Sequence, residues 1–158
     1  MAATLIQVST SPGGMPKLAV PQAAVTFDGV GDDWQLNRKY HGGRDRAVCL
    51  FSVEGYDMLR REFQIDLAPG SIGENFTTAG VDLDALAPGD VLRVGGCRIL
   101  IIKMRAPCRS LDQWDKRLMK AILGRSGWVC RVLEEGTVRP GDDVTVEAAG
   151  AARAPPYP

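Results

Sequence analysis

Four cysteines and a single histidine are the side chains here that could bind a soft metal, carry sulfur or attack an electrophile. Cys49, Cys97 and Cys130 lie inside apolar runs and read as small buried hydrophobes. Cys108 differs. It sits in Met104-Arg105-Ala106-Pro107-Cys108-Arg109-Ser110, behind a proline, between two arginines and two residues before an expected helix N-cap. Nearby cations and a helix start both favour thiolate over thiol. A thiolate there is a nucleophile, a sulfur carrier or a soft-metal ligand. A plain structural thiol is the alternative, because a low pKa also requires partial exposure. The cysteines have no CxxC spacing, which argues against a zinc knuckle or a thioredoxin-like pair, and His41 alone cannot build a multi-histidine metal site.

Two polar loops could face Cys108. Lys39–Val48, "KYHGGRDRAV", pairs tandem glycines with His41, Arg44, Asp45 and Arg46; such glycines let backbone amides approach a ligand closely. Pro69–Thr78, "PGSIGENFTT", sets Gly70 and Gly73 among Ser71, Glu74, Asn75, Thr77 and Thr78, a dense set of donors and acceptors before an expected strand. Each also reads as an ordinary polar turn. Ser11–Gly14, "SPGG", resembles a phosphate-cradling loop only loosely, lacking the GK[ST] ending.

The elements that must carry these loops are mainly strands. Eighteen glycines and ten prolines punctuate short apolar runs, a pattern of strands and turns rather than a helical bundle. Strands are expected at Leu5–Ser9, Ala23–Phe27, Ala47–Ser52, Val91–Val94, Cys97–Met104, Trp128–Leu133 and Val144–Glu147, with a two-residue hairpin at Gly95-Gly96. Pro88-Gly89-Asp90 and Pro140-Gly141-Asp142 suit type II turns. Helices are expected at Glu54–Phe63 and over Ser110–Leu123, the second opened by a Ser110/Gln113 capping box and stopped by Gly124. Trp114 and Trp128 fall on expected core positions. The tail 148–158 is small-residue and proline-rich, and is expected to be disordered.

With 158 residues the chain fits one domain large enough to hold a core without disulfides. Nineteen basic residues balance nineteen acidic ones, so the composition points away from nucleic acid and from a polybasic membrane surface. No apolar run approaches the ~20 residues that span a bilayer, and the N-terminus has no signal-like core. A cytoplasmic protein with reduced thiols is the expectation.

Taken together, "HGGRDRAV", "PGSIGENFTT", "PGDVLRVGG", "RAPCRSL" and "GRSGWVCRVLEEGTVRPGD" resemble a MOSC domain, the family named for the C-terminal domain of molybdenum cofactor sulfurases. The resemblance runs from about Leu5 to Glu147, so residues 1–147 are taken as one domain. It implies a barrel-like β fold with two or three short helices. The family's HGG segment falls on His41, Gly42, Gly43, Asp45, Arg46 and Ala47, its GEN loop on Gly70, Gly73, Glu74 and Asn75, its GD turn on Gly89 and Asp90, and its proline-preceded cysteine on Cys108. In such proteins that cysteine is taken either to ligate the molybdenum of the pterin cofactor or to carry sulfur as a persulfide.

Three functions follow from the resemblance. The favoured one is a stand-alone molybdenum-cofactor-binding domain, with Cys108 on the metal and Arg105 and Arg109 joining both loops around the anionic groups, able to reduce N-hydroxylated substrates. The others are a sulfur carrier served by a desulfurase, and a delivery module that docks on a larger molybdoenzyme. No flavin, haem or iron–sulfur pattern is present, so a reductase needs a redox partner as electron source. The sequence departs from the family where relatives place an upstream histidine: here Asp32-Asp33-Trp34 stands. No pyridoxal phosphate site and no desulfurase domain are seen.

Overall fold

Alternating apolar residues that hydrogen-bond sideways form eleven strands in the computed structural model, which describes residues 3–34 and 43–147. They are β1 (Ala3–Thr10), β2 (Leu18–Val20), β3 (Ala23–Thr26), β4 (Gly29–Val30), β5 (Val48–Ser52), β6 (Phe76–Ala79), β7 (Val91–Val94), β8 (Cys97–Met104), β9 (Trp128–Glu134), β10 (Gly136–Val138) and β11 (Asp143–Val146). The order β11-β7-β8-β9-β5-β6-β1, with β11 also paired to β1, closes a seven-stranded barrel. Closure removes the open sheet edges that would otherwise invite aggregation. β2 adds to the outside of β1, and β10, β3 and β4 form a separate small sheet.

Neighbours in the barrel are antiparallel except β5 and β6, which run parallel with Leu50 opposite Phe76. A parallel pair cannot be joined by a hairpin and needs a crossover. Helix α1 (Val53–Phe63) supplies it. Ser52 caps its start, the hydroxyl accepting from the Gly55 N–H at 3.0 Å, and Gln64 ends it at φ 55°, with its N–H on the Arg60 carbonyl. The expected helix over Glu54–Phe63 thus begins one residue earlier.

Leu5, Leu50, Phe76, Leu92, Ile99 and Ile101 lie fully buried within the barrel. A second core sits outside it, where Tyr56 and Leu59 of α1 meet Phe51, Ile72, Leu111, Leu118 and Ile122. Each such side chain contributes about 1.5–3 kcal/mol by leaving water. This outer core fastens both the Gly70–Asn75 loop and the segment after Cys108 to the barrel wall.

The strands expected at Val91–Val94 and Cys97–Met104 are observed with those bounds, joined through the Gly95-Gly96 turn with Val94 opposite Cys97. The helix expected over Ser110–Leu123 is not continuous. A 3-10 turn occupies Arg109–Gln113, and a short helix, α2, spans only Leu118–Ala121. Asp115 explains the break: its carboxylate accepts from the Arg117 backbone N–H at 2.8 Å and from the guanidinium at 3.0 and 2.9 Å, a local alternative to helical bonding. Nor does the capping box form. Gln113 donates to the Ser110 carbonyl at 2.8 Å instead of receiving its amide.

Two tryptophans expected in the core behave differently. Trp128 is buried and donates to the Leu83 carbonyl at 2.9 Å, whereas Trp114 remains 37% exposed. Cys97 and Cys130 are buried as expected, but Cys49 is only partly so. His41, Gly42 and the tail 148–158 lie outside the described residues.

Gly127 has φ +86°, and an added Cβ would run into the Leu50 carbonyl; Gly141 has φ +95° but open space around it. Both substitutions by alanine incur backbone strain of about 1–2 kcal/mol. Gly127→Ala is expected to cost at least about 1 kcal/mol more than Gly141→Ala in urea unfolding, and equal costs would contradict the close packing of β5 against residue 127.

Candidate functional site

The Gly70–Asn75 loop is buried, so its polar groups must find partners within the protein. Gly70 (φ +92°) and Gly73 (φ +87°) give it its shape: a Cβ on Gly70 would meet the Lys17 carbonyl, and one on Gly73 would lie 3.0 Å from the Met15 side chain. Asn75 anchors the end of the loop. Its Oδ1 accepts from the Cys49 N–H at 2.9 Å, and its Nδ2 donates to the Ser9 carbonyl at 3.2 Å and to Asp33 Oδ2 at 3.0 Å.

Asp33 is the hub of this end. Besides Asn75 it accepts from the Ser11 N–H at 2.9 Å and from both sides by Lys17 Nζ, at 2.7 and 2.8 Å. The Lys17 and Asp33 side chains are 8% and 1% exposed. A buried pair like this is needed as a pair, since either charge left alone would be stranded in a poor solvent.

Glu74 holds the middle. Fully buried, it accepts from the Tyr56 hydroxyl at 2.9 and 2.7 Å and from Thr77 Oγ1 at 2.9 Å. Burial raises its pKa; the hydrogen bonds from Tyr56, the loop amides and Thr77 offset this only in part. The same burial, with the Glu74 charge beside it, pushes the Tyr56 phenol well above its ordinary range. Glu74 and Asn75 therefore shape the loop from within.

Two donors fasten the cysteine segment to this loop. As the chain leaves β8, the Arg105 N–H donates to the Gly127 carbonyl at 2.9 Å, and the Ser126 hydroxyl donates to the Arg105 carbonyl. Arg105 Nη2 then donates to the Ile72 carbonyl at 2.8 Å, and Trp114 Nε1 to the Ser71 carbonyl at 2.8 Å. The half-exposed Trp114 is thus a clasp, with its indole N–H rather than its whole ring inside. Cys108 lies within the clasped segment, half-buried, in extended conformation (φ −124°, ψ 163°) before the 3-10 turn, and Arg109 beside it is exposed. Its expected seat before a full helix is not observed, since the turn that follows is too short to carry a macrodipole. Cys97 and Cys130 contrast with it. Burial pushes the Cys97 thiol up to about 12 and the Cys130 thiol well above its ordinary value.

The remaining candidates sit at the start of β5. Gly43 (φ +96°) has no described residue where a side chain would be, and Arg44–Arg46 form a 3-10 turn. Asp45 Oδ1 is buried without a hydrogen bond among the described residues, 4.0 Å from the Arg131 guanidinium; Arg46 is half-buried. Arg44 turns elsewhere, onto the Phe27 ring and Asp28. Arg105 thus meets the loop directly, beside Gly73, and Cys108 is tied to it through its flanks Arg105 and Trp114, while Gly43, Asp45 and Arg46 reach that loop through β5, whose Cys49 amide Asn75 holds.

Met15, Lys17, Asp33, Tyr56 and Trp114 were not singled out for this site by sequence. Lys17 and Asp33 are separated by three strands, β2, β3 and β4, and no local pattern announces that they meet. Lys17→Met is expected to cost about 3–5 kcal/mol of stability, with part of the loss restored in Lys17→Met/Asp33→Asn; additive losses in a double-mutant cycle would show that the charges are not coupled. For Glu74 the sign follows from a folded pKa raised above its ordinary 4.5. Its protonated form favours the fold, so that contribution is full below pH 4.5 and fades as pH rises through the folded pKa. The stability of the wild type relative to Glu74→Gln should therefore fall as pH rises above 4.5 in paired urea titrations, whereas a constant difference would contradict the raised pKa.

The family model for the MOSC domain matches residues 37–145. The chain is 32% identical over 158 residues to protein YiiM of Escherichia coli, covering 89% of this chain and 70% of that one. It is also 32% identical over 138 residues to YflK of Bacillus subtilis, covering 85% of this chain but only 61% of the length of YflK. The crystal structure of YiiM from Geobacillus stearothermophilus superposes with a TM-score of 0.77 over 96% of this chain and 78% of that one; at 24% identity, this likeness speaks for the fold. A closed barrel with its clasped cysteine loop, a family match across most of the chain and relatives at this identity lead to one conclusion: the chain belongs to the MOSC domain family.

Proposed function

We propose that this protein binds the molybdenum-pterin cofactor, with the Cys108 sulfur as a ligand of the metal. The observation that carries this reading is the placement of Cys108. Its thiol is half-exposed on a segment pinned to the Gly70–Asn75 loop by Arg105 and Trp114, while the thiols of Cys97 and Cys130 are buried and held protonated.

The donor set fits such a group. Cys108 offers the soft sulfur that molybdenum accepts, and Arg109 and Arg105 bring positive charge to either side of it. At the other loop, no described residue stands where a Gly43 side chain would be, and Asp45 Oδ1 has no hydrogen bond among the described residues; both suit close approach of a polar ligand. Gly73, Glu74 and Asn75 would act through the loop they shape, and Arg46 with the Asp45 turn; His41 and Gly42, in the same family motif, are proposed as further contacts. When bound, the cofactor supplies two-electron redox chemistry. Reduction of an N-hydroxylated substrate would break the N–O bond, consuming two electrons and two protons and releasing water, with an external redox protein as electron donor.

Protein produced in a cofactor-synthesising host is expected to carry close to one molybdenum per chain by elemental analysis, and Cys108→Ser to lose at least about tenfold of it. Molybdenum absent from the wild type, or equal in the variant, would overturn the proposal. A gain of one sulfur atom on Cys108 in the intact mass, without metal, would instead favour the sulfur-carrier reading.

A further inference from the structure

We propose that a second site, separate from the cysteine loop, binds an organic cation with a flat apolar body, of the aryl-amidinium type. It is a cleft of about 340 Å³ between the start of α1, the turn after β6 and the end of β8. This volume lies at the lower end of the range of about 300–1,000 Å³ for small-molecule sites.

The cleft has an apolar floor and an acidic mouth. Phe51, Met58, Met104 and Trp128 line the floor. The indole N–H of Trp128 is already spent on the Leu83 carbonyl, so Trp128 brings no free donor to the cleft. Aromatic and thioether groups suit a flat, charged but weakly hydrated partner. Glu54, Asp82 and Asp84 line the cleft as well, all three exposed.

Charge decides the sign of the ligand. Among the described residues the one basic side chain lining the cleft, Arg125, is already engaged by the Ala121 carbonyl and Glu62, both at 3.1 Å. A bare helix start would favour an anion. Here Ser52 takes the Gly55 amide and Glu54 places a carboxylate on the first turn, its Oε1 accepting from the Gly80 N–H at 2.6 Å. Asp82 accepts from the Asp84 N–H at 3.1 Å, likewise through one oxygen. The mouth is thus negative where the floor is apolar, a combination that recognises an amidinium and rejects a carboxylate.

The cleft touches the back of the cysteine segment without sharing its residues. Met104 and Gly127 border it, and Gly127 accepts the Arg105 amide, but none of Gly43, Asp45, Arg46, Gly73, Glu74, Asn75, Arg105, Cys108 or Arg109 lines it.

Calorimetric titration of the protein, prepared without added metal, with benzamidinium, neutral benzamide and benzoate tests the proposal. Benzamidinium is expected to saturate one site with a Kd of about 1 mM or tighter, and benzamide to bind at least about tenfold more weakly. Glu54→Gln/Asp84→Asn should weaken benzamidinium by about fivefold or more and leave benzamide unchanged. Asp84→Asn alone, on an exposed side chain, gives the same readout with a smaller loss. Cys108→Ser should bind benzamidinium like the wild type, which separates this site from the cysteine loop whatever the fate of the cofactor proposal. No saturable binding, equal affinity for benzamide, unchanged affinity in the charge variants, or loss of binding in Cys108→Ser would overturn it.

Discussion

Burying a polar loop in a small barrel is possible only if every donor and acceptor in it is met, and that constraint governs the molecule around the Gly70–Asn75 loop. An unmet buried group costs about 1–3 kcal/mol, more if charged. Asn75 spends its carboxamide on β1, β5 and Asp33; Asp33 spends its carboxylate on Asn75, Ser11 and Lys17; Glu74 is met by Tyr56 and Thr77. These partners come from separate parts of the chain. The loop therefore exists only once the barrel, α1 and the residues around Lys17 and Asp33 have assembled, and the cysteine segment in turn rests on the loop.

The same dependence sets what could be read from sequence. Strands β7 and β8 were legible to the residue because their apolar runs are bounded by glycine turns that act locally. β6 is four residues with two threonines, and sequence saw only a polar loop there; its strand character comes from β1 and β5 on either side. The interrupted helix is subtler. Leu111, Leu118, Ala121 and Ile122 are buried as a helical period requires, yet Asp115 diverts the backbone between them. Periodicity reported which side chains go inside, not the hydrogen bonding that takes them there.

For the site, Cys108 was legible through its contrast with three thiols in apolar runs, and two of those three are fully buried. The helix start expected to favour its thiolate is absent, because only a 3-10 turn follows it. What sets Cys108 apart is exposure on a segment clasped by Arg105 and Trp114. The full burial of Glu74 was illegible, since an acidic residue in a glycine loop ordinarily faces water. So were Lys17 and Asp33, whose meaning lies wholly in their meeting.

Barrel, loop and clasp together hold the partly exposed Cys108 sulfur in a fixed place, and the central claim is that this sulfur is a metal ligand. X-ray absorption at the molybdenum edge of the loaded protein tests it most directly. The sulfur shell around the metal should contain one more scatterer in the wild type than in Cys108→Ser with cofactor restored. An identical sulfur shell in the two proteins would contradict the claim.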